Sequence, residues 1–189
     1  MKIICDGGMV SCNTKDTMDA IMLTKNIAYL NGIKVDIQKT KDNIVVLAPS
    51  NDLSTFTLSN KKISSCPYEY LRKVKFPSHI FKYYIPTLEE FLQKYNYDKL
   101  VVLEIYDINV IELLYNILLK YPYQYFFLSH SNYVLSKLQD SSLNKIGTII
   151  DDNSNIKVFY SEDLDDKFNQ NDNNLFLITE HPEKILRKN

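Results

Sequence analysis

The chain has 189 residues, of which 45% are hydrophobic and 24% are charged. This length is enough for one domain with a sizeable core, and the composition is that of an ordinary globular protein. The formal net charge of -1 gives no electrostatic reason to expect a nucleic acid or a membrane surface as partner. We therefore expect a single domain over residues 1–189.

Cysteine content and terminal sequence bear on the compartment. The three cysteines, Cys5, Cys12 and Cys66, fit neither a disulfide framework nor a zinc pattern, and an odd number suits a reducing environment. The sequence begins directly in a strand-like segment without the features of a signal peptide, and no apolar run is long enough to span a bilayer. These observations predict a cytoplasmic protein.

Hydrophobic periodicity predicts strands that alternate with helices. The predicted strands are residues 2–6, 33–38, 44–48, 99–107, 125–130, 145–150, 156–162 and 174–182. The predicted helices are residues 14–31, 86–95, 110–120, 133–138 and 182–189. Thr87 and Glu90 have the spacing of a capping box at the start of the second helix. Residues 52–84 show no regular pattern and predict a small irregular excursion.

Repeated strand–helix units predict a parallel sheet covered by helices. We count about eight strands in all, which favours a compact (β/α)₈ TIM barrel. Such barrels usually contain about 250 residues, so this one needs a shortened set of helices. The short connection at residues 151–155 is a place where a helix is missing.

Polar side chains stand at the ends of several predicted strands, where a parallel barrel carries its chemistry. They are Asp6, Lys34, Asp36, Glu104, Tyr106 and His130. Three carboxylates that converge on one mouth repel each other unless a cation lies among them. That cation would be a divalent metal such as Mg²⁺ or Ca²⁺, which carboxylate oxygens suit, or the ammonium group of Lys34.

Five segments resemble the glycerophosphodiester phosphodiesterase family. "GIKVDIQKTKDNIVVLAPSNDL" resembles its G-[IVA]-E-x-D-[VI]-x-x-T-K-D-x-x-[VLI]-V-x-H-D segment, and "IICDGGMVSCNT" resembles its H-R-G strand followed by P-E-N-T. "IPTLEEFL" matches the helix start IPTLEE, "LVVLEIYD" the E-I-K strand, and "LFLITEHPEKILRK" the closing strand and helix. The order is kept over nearly the whole chain. The resemblance implies a TIM barrel and phosphodiester hydrolysis.

The same resemblance implies that the metal site is altered. The family holds its metal with the two acids of E-x-D and the glutamate of E-I-K. Here Asp36 and Glu104 are retained, but Lys34 replaces the first acid. A cation at this position repels a metal, which suggests that the Lys34 ammonium has taken its place.

The groups that move protons are replaced as well. The family's acid/base histidines correspond to Asp6 and Ala48, and the arginine of H-R-G corresponds to Gly7. Tyr106 replaces the lysine of E-I-K, and Pro49 follows Ala48 in place of the aspartate of H-D. A positioned acid or base contributes typically 10²–10⁴-fold to rate, so these replacements predict a catalytically impaired protein.

Three functions therefore stay open. The first is a pseudoenzyme that binds a small phosphorylated or polyol ligand, or a protein partner, through the six strand-end residues, without a cofactor. The second is an active hydrolase in which Asp6, Asp36 and Glu104 hold Mg²⁺ or Ca²⁺ and His130 or Asp6 transfers protons. The third is a scaffold whose mouth contains only ion pairs. The sequence leaves the oligomeric state open.

Overall fold

The computed structural model describes residues 1–10, 13–55, 57–74, 84–95, 98–152, 154–160 and 173–185. Its strands form one eight-stranded sheet in the order β6-β5-β4-β2-β1-β8-β7, with β3 paired to β2. The strands are β1 (Lys2–Asp6), β2 (Gly32–Lys39), β3 (Val45–Leu47), β4 (Leu100–Ile105), β5 (Tyr125–Leu128), β6 (Gly147–Ile149), β7 (Lys157–Tyr160) and β8 (Leu175–Thr179). Among the strand pairs of the described residues, β2–β3 alone is antiparallel.

This parallel topology is that of a TIM-like α/β barrel, as the sequence predicts. The strand count differs, because seven parallel strands are described where we expected about eight. The eighth strand of the sheet is the antiparallel hairpin strand β3. Between β3 and β4, the described residues contain two 3₁₀ turns and two helices, with no further strand of the sheet.

Side chains alternate between the two faces of the sheet, and each face has its own apolar cluster. Ile4, Val102, Phe126 and Ile178 belong to the cluster of the barrel interior. The larger cluster lies between the sheet and the helices, and contains Ile33, Val35, Ile37, Val101, Leu103, Phe91 and Leu114 among others. In β4 the interior row changes from apolar residues to Glu104 at the carboxyl end, in β1 Ile4 is followed by Asp6, and in β2 the row carries Lys34 and Asp36.

The helices are short and few. They are α1 (Met18–Thr24), α2 (Tyr68–Leu71), α3 (Leu88–Lys94), α4 (Ile111–Leu118), α5 (Asn132–Asp140) and α6 (Pro182–Ile185). The predicted capping box of α3 is confirmed, because Thr87 Oγ1 accepts from Glu90 N while Glu90 Oε2 accepts from Thr87 N. The helix predicted over residues 182–189 is confirmed only through Ile185, since residues 186–189 lie outside the described part.

The helix predicted over residues 14–31 is wrong at both ends. Thr17 has an extended backbone and caps α1 by accepting from Ala20 N. Asp16 has a φ of 59°, which lies in the left-handed region and excludes a helix across this point. At the other end, residues 25–31 form turns that are closed by hydrogen bonds from Ile27 and Leu30 to earlier carbonyls.

In its described part, the predicted excursion over residues 52–84 consists of short elements joined by turns. It contains 3₁₀ turns at Leu53–Thr55 and Ile63–Ser65, followed by α2. Apolar side chains from these turns and α2 form a small cluster with Val46 of β3. The excursion therefore packs onto the hairpin at one end of the barrel, and residues 75–83 lie outside the described part.

In the described ranges, no helix has the length and apolar character that crossing a lipid bilayer requires.

Candidate functional site

Parallel register places the charged residues side by side at the mouth, which we define as the carboxyl end of β1, β2 and β4. Asp6 of β1 pairs with Lys34 of β2, and Asp36 of β2 pairs with Glu104 of β4. All four side chains continue the interior row of their strands. Their side chains are almost completely buried, with 2–6% of each residue exposed. The predicted convergence of these four residues is confirmed.

Lys34 lies at the centre of this group. Its Nζ atom is 2.8 Å from Asp36 Oδ1 and 3.1 Å from Asp6 Oδ1, and it also contacts Glu104 Oε2. One ammonium group therefore uses its three donors on three carboxylates from three strands. A buried carboxylate needs such a partner, because an unpaired buried charge loses its hydration without compensation.

The charges of the mouth shift one another's pKa values. Burial by itself lowers the pKa of Lys34, but the carboxylates of Asp36, Asp6 and Glu104 outweigh burial and hold it above 10.5. Burial also raises the pKa of Asp36, but Lys34 and Lys15 outweigh it and bring the pKa below 3.8. For Glu104, burial dominates and raises the pKa above 4.5. Glu104 therefore retains a proton more readily than Asp36 does.

A second lysine, Lys15, covers the mouth and was missed by the sequence analysis. Its Nζ atom lies 2.9 Å from Asp6 Oδ2, 3.5 Å from Asp36 Oδ2 and 3.3 Å from Glu180 Oε1. Burial lowers the pKa of Lys15, but Asp36 and Asp6 raise it above its usual value. The mouth thus holds two cations against the three buried carboxylates.

The loop after β1 determines where Lys15 lies. Gly7 has a φ of 65° and its carbonyl accepts a hydrogen bond from Asp16 N at 2.8 Å, which turns the loop back across the mouth. A Cβ atom on Gly7 would lie 2.1 Å from Lys15 Cγ. The stem of Lys15 therefore occupies the space beside Gly7 that a side chain at this position would need. Lys15 lies nine residues after the end of β1, in the loop before α1, and no pattern in the sequence indicated that it would reach the mouth.

Asp16 adds an acid without a cation of its own. It is 2% exposed, and neither carboxylate oxygen has a hydrogen-bond partner among the described residues. Burial, followed by the nearby charge of Asp36, raises its pKa well above 3.8. We interpret Asp16 as a carboxyl group that stays protonated beside the mouth.

Tyr106 and His130 lie at the rim. Tyr106 is 45% exposed, and its hydroxyl donates to Asp36 Oδ1 at 3.3 Å. Burial, together with the Asp36 and Glu104 charges, raises the pKa of Tyr106, so the phenol is a neutral donor. His130 lies two residues beyond β5 and is exposed, with Nε2 3.1 Å from Glu104 Oε1, although that oxygen accepts no hydrogen bond of good geometry. Both predicted residues therefore reach the mouth.

Ala48 is the remaining position singled out by the motif comparison. It follows β3, is 1% exposed, and its N–H donates to the carbonyl of Asp36 at 2.9 Å. This backbone bond holds the end of the hairpin against the mouth. A methyl group cannot transfer a proton, so Ala48 has a structural role only.

The residues of the mouth do not fit a divalent cation as they are arranged. Such an ion would need the carboxylate oxygens that Lys34 Nζ contacts, and its charge would be repelled by the ammonium group. In the part of the chain that the structure describes, no group of three or more His, Cys, Asp or Glu side chains could hold a metal ion. We therefore derive no chemistry through a metal.

Comparison with solved structures identifies the fold. A phosphodiesterase from Oleispira antarctica, solved with the product sn-glycerol-3-phosphate, matches with a TM-score of 0.78 and 16% identity, covering 99% of this chain and 96% of that one. The glycerophosphodiester phosphodiesterase from Thermotoga maritima matches with a TM-score of 0.63 and 15% identity, covering 99% and 97%. The chain has the fold of the glycerophosphodiester phosphodiesterases.

A shorter match leads to the same fold. The glycerophosphoryl diester phosphodiesterase domain of a Mycobacterium tuberculosis protein has a TM-score of 0.67 and 15% identity, over 79% of this chain. This chain spans 59% of the length of that domain. No protein-family model matches the sequence, and neither does any curated protein. The glycerophosphodiester phosphodiesterase fold is therefore recognised from the structure, in agreement with the motifs.

Proposed function

We propose that this chain is a divergent member of the glycerophosphodiester phosphodiesterase family that has lost hydrolysis and binds a small phosphorylated or polyol ligand. One observation carries the proposal. Lys34 Nζ contacts Asp6, Asp36 and Glu104 together, and two of these are the acids that correspond to the family's metal ligands. The mouth is thereby a closed ion-pair cluster.

Hydrolysis of a phosphodiester needs groups that this mouth lacks. Charge that develops on the phosphoryl oxygens must be neutralised by a positioned cation, and protons must move at the attacking and leaving oxygens. The ammonium group of Lys34 already contacts three buried carboxylates and is not free to neutralise that charge. The positions that resemble the two histidines carry Asp6, which is bound to Lys34 and Lys15, and Ala48. No pair of free acid and base groups results.

Ligand binding is supported by what lies at the rim. Lys15, Tyr106 and His130 present an ammonium group, a phenol and an imidazole around the buried cluster. The Oleispira phosphodiesterase of the same fold holds sn-glycerol-3-phosphate, which combines a phosphate with a small polyol. A ligand of this size and chemistry is therefore the one that we propose for this chain.

The first test is hydrolysis of a panel of glycerophosphodiesters by the whole chain, with Mg²⁺, Ca²⁺ or Mn²⁺ and with released glycerol phosphate as readout. We expect no turnover by the wild type. A restored variant carrying Lys34→Glu, Asp6→His, Ala48→His and Pro49→Asp should gain metal-dependent activity. Clear metal-dependent turnover by the wild type would contradict the loss of hydrolysis.

A second readout does not need activity. Calorimetric titration with Ca²⁺ should detect no binding to the wild type and a stoichiometric site in Lys34→Glu, because the substitution replaces the central cation with a third oxygen ligand. Lys120→Glu is the matched control, since it makes the same charge change at an exposed ion pair with Glu89. Equal Ca²⁺ binding by wild type and Lys34→Glu would contradict the replacement of the metal by Lys34.

One observation favours the alternative of an active hydrolase. His130 Nε2 lies 3.1 Å from Glu104 Oε1, so an imidazole stands at the mouth beside one of the acids proposed for a metal. In this alternative, Asp6, Asp36 and Glu104 bind Mg²⁺ or Ca²⁺ and Lys34 moves aside. If the wild type does hydrolyse a diester, His130→Ala should then abolish turnover.

A further inference from the structure

A second concave site lies beside the mouth. It is a cleft of about 340 Å³ between the carboxyl end of β2, the residues after β3, and the residues after β4. This volume is at the lower end of the range of about 300–1,000 Å³ that small-molecule sites occupy. Tyr106 belongs to both places, because it borders the cleft while its hydroxyl donates to Asp36 of the mouth. We call this site the Gln38 cleft.

We propose that the Gln38 cleft binds a neutral polyhydroxylated ring, such as a sugar or a cyclitol, through Gln38 and Tyr106. This inference deepens the proposed function by naming the ligand class and its position, and it rests on the ligand-binding part of that function. It does not depend on whether the mouth is catalytically silent.

Gln38 is the first observation that points to a ligand. It follows Lys34 and Asp36 on the interior face of β2 and is only 6% exposed, yet its side-chain amide lines the cleft and makes no hydrogen bond among the described residues. An amide has two donors and an acceptor, and those of Gln38 remain reachable from the cleft, because they are not among the fully enclosed polar atoms without a partner. A ligand hydroxyl can both donate to and accept from this amide.

Tyr106 is the second observation. It is the large side chain of the cleft and remains 45% exposed, while its hydroxyl is tied to Asp36 Oδ1 at 3.3 Å. That bond holds the phenol ring in place between the mouth and the cleft. An aromatic ring that is fixed in position and still exposed can make apolar contact with the C–H groups of a polyol. Aromatic side chains play this part in small-molecule sites.

Other polar side chains of the cleft are held in place by hydrogen bonds to each other. Asn51 Nδ2 donates to Ser64 Oγ at 3.1 Å, and Ser64 N donates to Asn51 Oδ1 at 2.9 Å. Both residues line the cleft together with Ser50. Hydroxyl and amide groups that are held by each other present hydrogen-bonding sites without a large loss of side-chain entropy on binding. They suit a ligand that carries several hydroxyl groups.

The charges of the cleft favour a neutral ligand over a phosphate. Lys39 Nζ donates to Asn43 Oδ1 at 2.8 Å, and Asp107 Oδ1 accepts from Asn109 at 2.9 Å and 2.6 Å. One cation and one anion thus line the cleft, and each is already engaged. Among the described lining residues, a dianionic phosphate in the cleft would therefore find no cation free to neutralise it.

The test is ligand-observed NMR on the whole wild-type chain. The neutral probes are methyl α-D-glucopyranoside, myo-inositol and glycerol, and the anionic probes are sn-glycerol-3-phosphate and inorganic phosphate. We expect saturation transfer to at least one neutral ring, with affinity reduced by about tenfold or more in Gln38→Leu and in Tyr106→Ala. Lys120→Glu is the control and should bind as the wild type does. Asn51→Ala, at a cleft residue whose side chain is bonded to Ser64 of the cleft, keeps the test valid if Gln38→Leu does not fold.

The possible failures are distinguishable. Absence of binding by every neutral probe overturns the inference, and so does binding of the two anionic probes that Gln38→Leu abolishes. Neutral binding that persists in both cleft variants and disappears in Lys34→Met would place the ligand in the mouth, which overturns the cleft and leaves the proposed function standing. Hydrolysis by the wild type, together with polyol binding that needs Gln38, would overturn the loss of hydrolysis and leave the cleft standing.

Discussion

Two buried lysines, Lys34 of β2 and Lys99 just before β4, have different kinds of hydrogen-bond partner. Lys34 lies in the mouth and contacts three carboxylates from three strands. Lys99 immediately precedes β4 at the opposite end of the barrel, and its Nζ atom donates to the backbone carbonyls of Ile27 and Leu30 at 2.7 Å each. Lys34 is 3% exposed and Lys99 is 8% exposed, so burial does not distinguish them. Their partners do.

The difference in partners reflects the chemistry of the two ends of the barrel. The amides at the amino end are neutral, so Lys99 ties a loop to the sheet, and burial lowers its pKa. The acids at the mouth are charged, and they hold the pKa of Lys34 above 10.5 despite burial. In parallel barrels, the carboxyl end of the strands carries function and the amino end carries stability. The two buried lysines follow this division, with Lys34 at the carboxyl end and Lys99 at the amino end.

The largest effect is expected when the central cation is removed. Lys34→Met should lower the free energy of unfolding at pH 7 by about 3–5 kcal/mol, because it leaves three buried carboxylates without their shared partner. Urea denaturation measures the loss. The deficit should shrink as the pH falls toward 4, where the carboxylates take up protons. A Lys34→Met protein as stable as the wild type at pH 7 would show that the cluster contributes no stability.

A smaller effect is expected at the amino end. Lys99→Met should cost about 1–3 kcal/mol in urea denaturation, since the carbonyls of Ile27 and Leu30 lose a charged donor and only that of Ile27 keeps another, from Leu30 N. No carboxylate is involved, so the deficit should be the same at pH 5 and pH 7. A deficit that depends on pH in this interval would mean that Lys99 also interacts with an acid, and the contrast between the two lysines would fail.

Alkaline pH should change the contributions of Lys34 and Lys99 to the free energy of unfolding in opposite directions. The folded pKa of Lys34 lies above its unfolded value of 10.5, so its stabilisation is complete below that pH and is lost as the pH rises through the folded pKa. The folded pKa of Lys99 lies below 10.5, so its contribution increases as the pH rises through the folded value toward 10.5. The wild type should therefore gain stability relative to Lys99→Met as the pH approaches 10.5 from below, and lose stability relative to Lys34→Met as the pH rises above 10.5.

The smallest effect is expected at Asp16, a buried acid without a cation. Its folded pKa is raised above the unfolded value of 3.8, so stability declines as the pH rises from 3.8 to the folded pKa, while the unfolded chain ionises and the folded chain does not. Asp16→Asn removes this decline, and asparagine tolerates the φ of 59°. We expect Tm to fall with pH in the wild type relative to the variant between pH 4 and pH 8. Parallel curves would show that Asp16 is ionised in the fold.

Much of the mouth was predictable because it lies on strands. Alternation at period two put Lys34 and Asp36 on one face, and the carboxyl ends of parallel strands meet at one edge of a sheet. Asp6, Lys34, Asp36 and Glu104 therefore converge as expected. Lys15 was missed because it reaches the mouth through a loop that turns at Gly7, and no periodicity reports the path of a loop.

Helix lengths were less predictable than strand positions. The apolar spacing of residues 14–31 continues on both sides of α1, yet the helix occupies only Met18–Thr24. The left-handed backbone of Asp16 and the cap at Thr17 start it late, because local hydrogen bonds of the loop compete with the helix. The Gln38 cleft was not foreseen either, since it forms only where the end of β2, the hairpin and the loop after β4 come together.

The sequence by itself determined the parallel barrel topology, the two faces of each strand and the four charged residues at one end. These follow from periodicity and from the direction of the chain, which act within a few residues. Only the tertiary structure decided that Lys34 binds all three carboxylates, that Lys15 fills the space beside Gly7, and that the Gln38 amide faces a cleft without a partner. Each of these depends on distances between side chains that are far apart in the sequence, and such distances are set by packing of the whole fold.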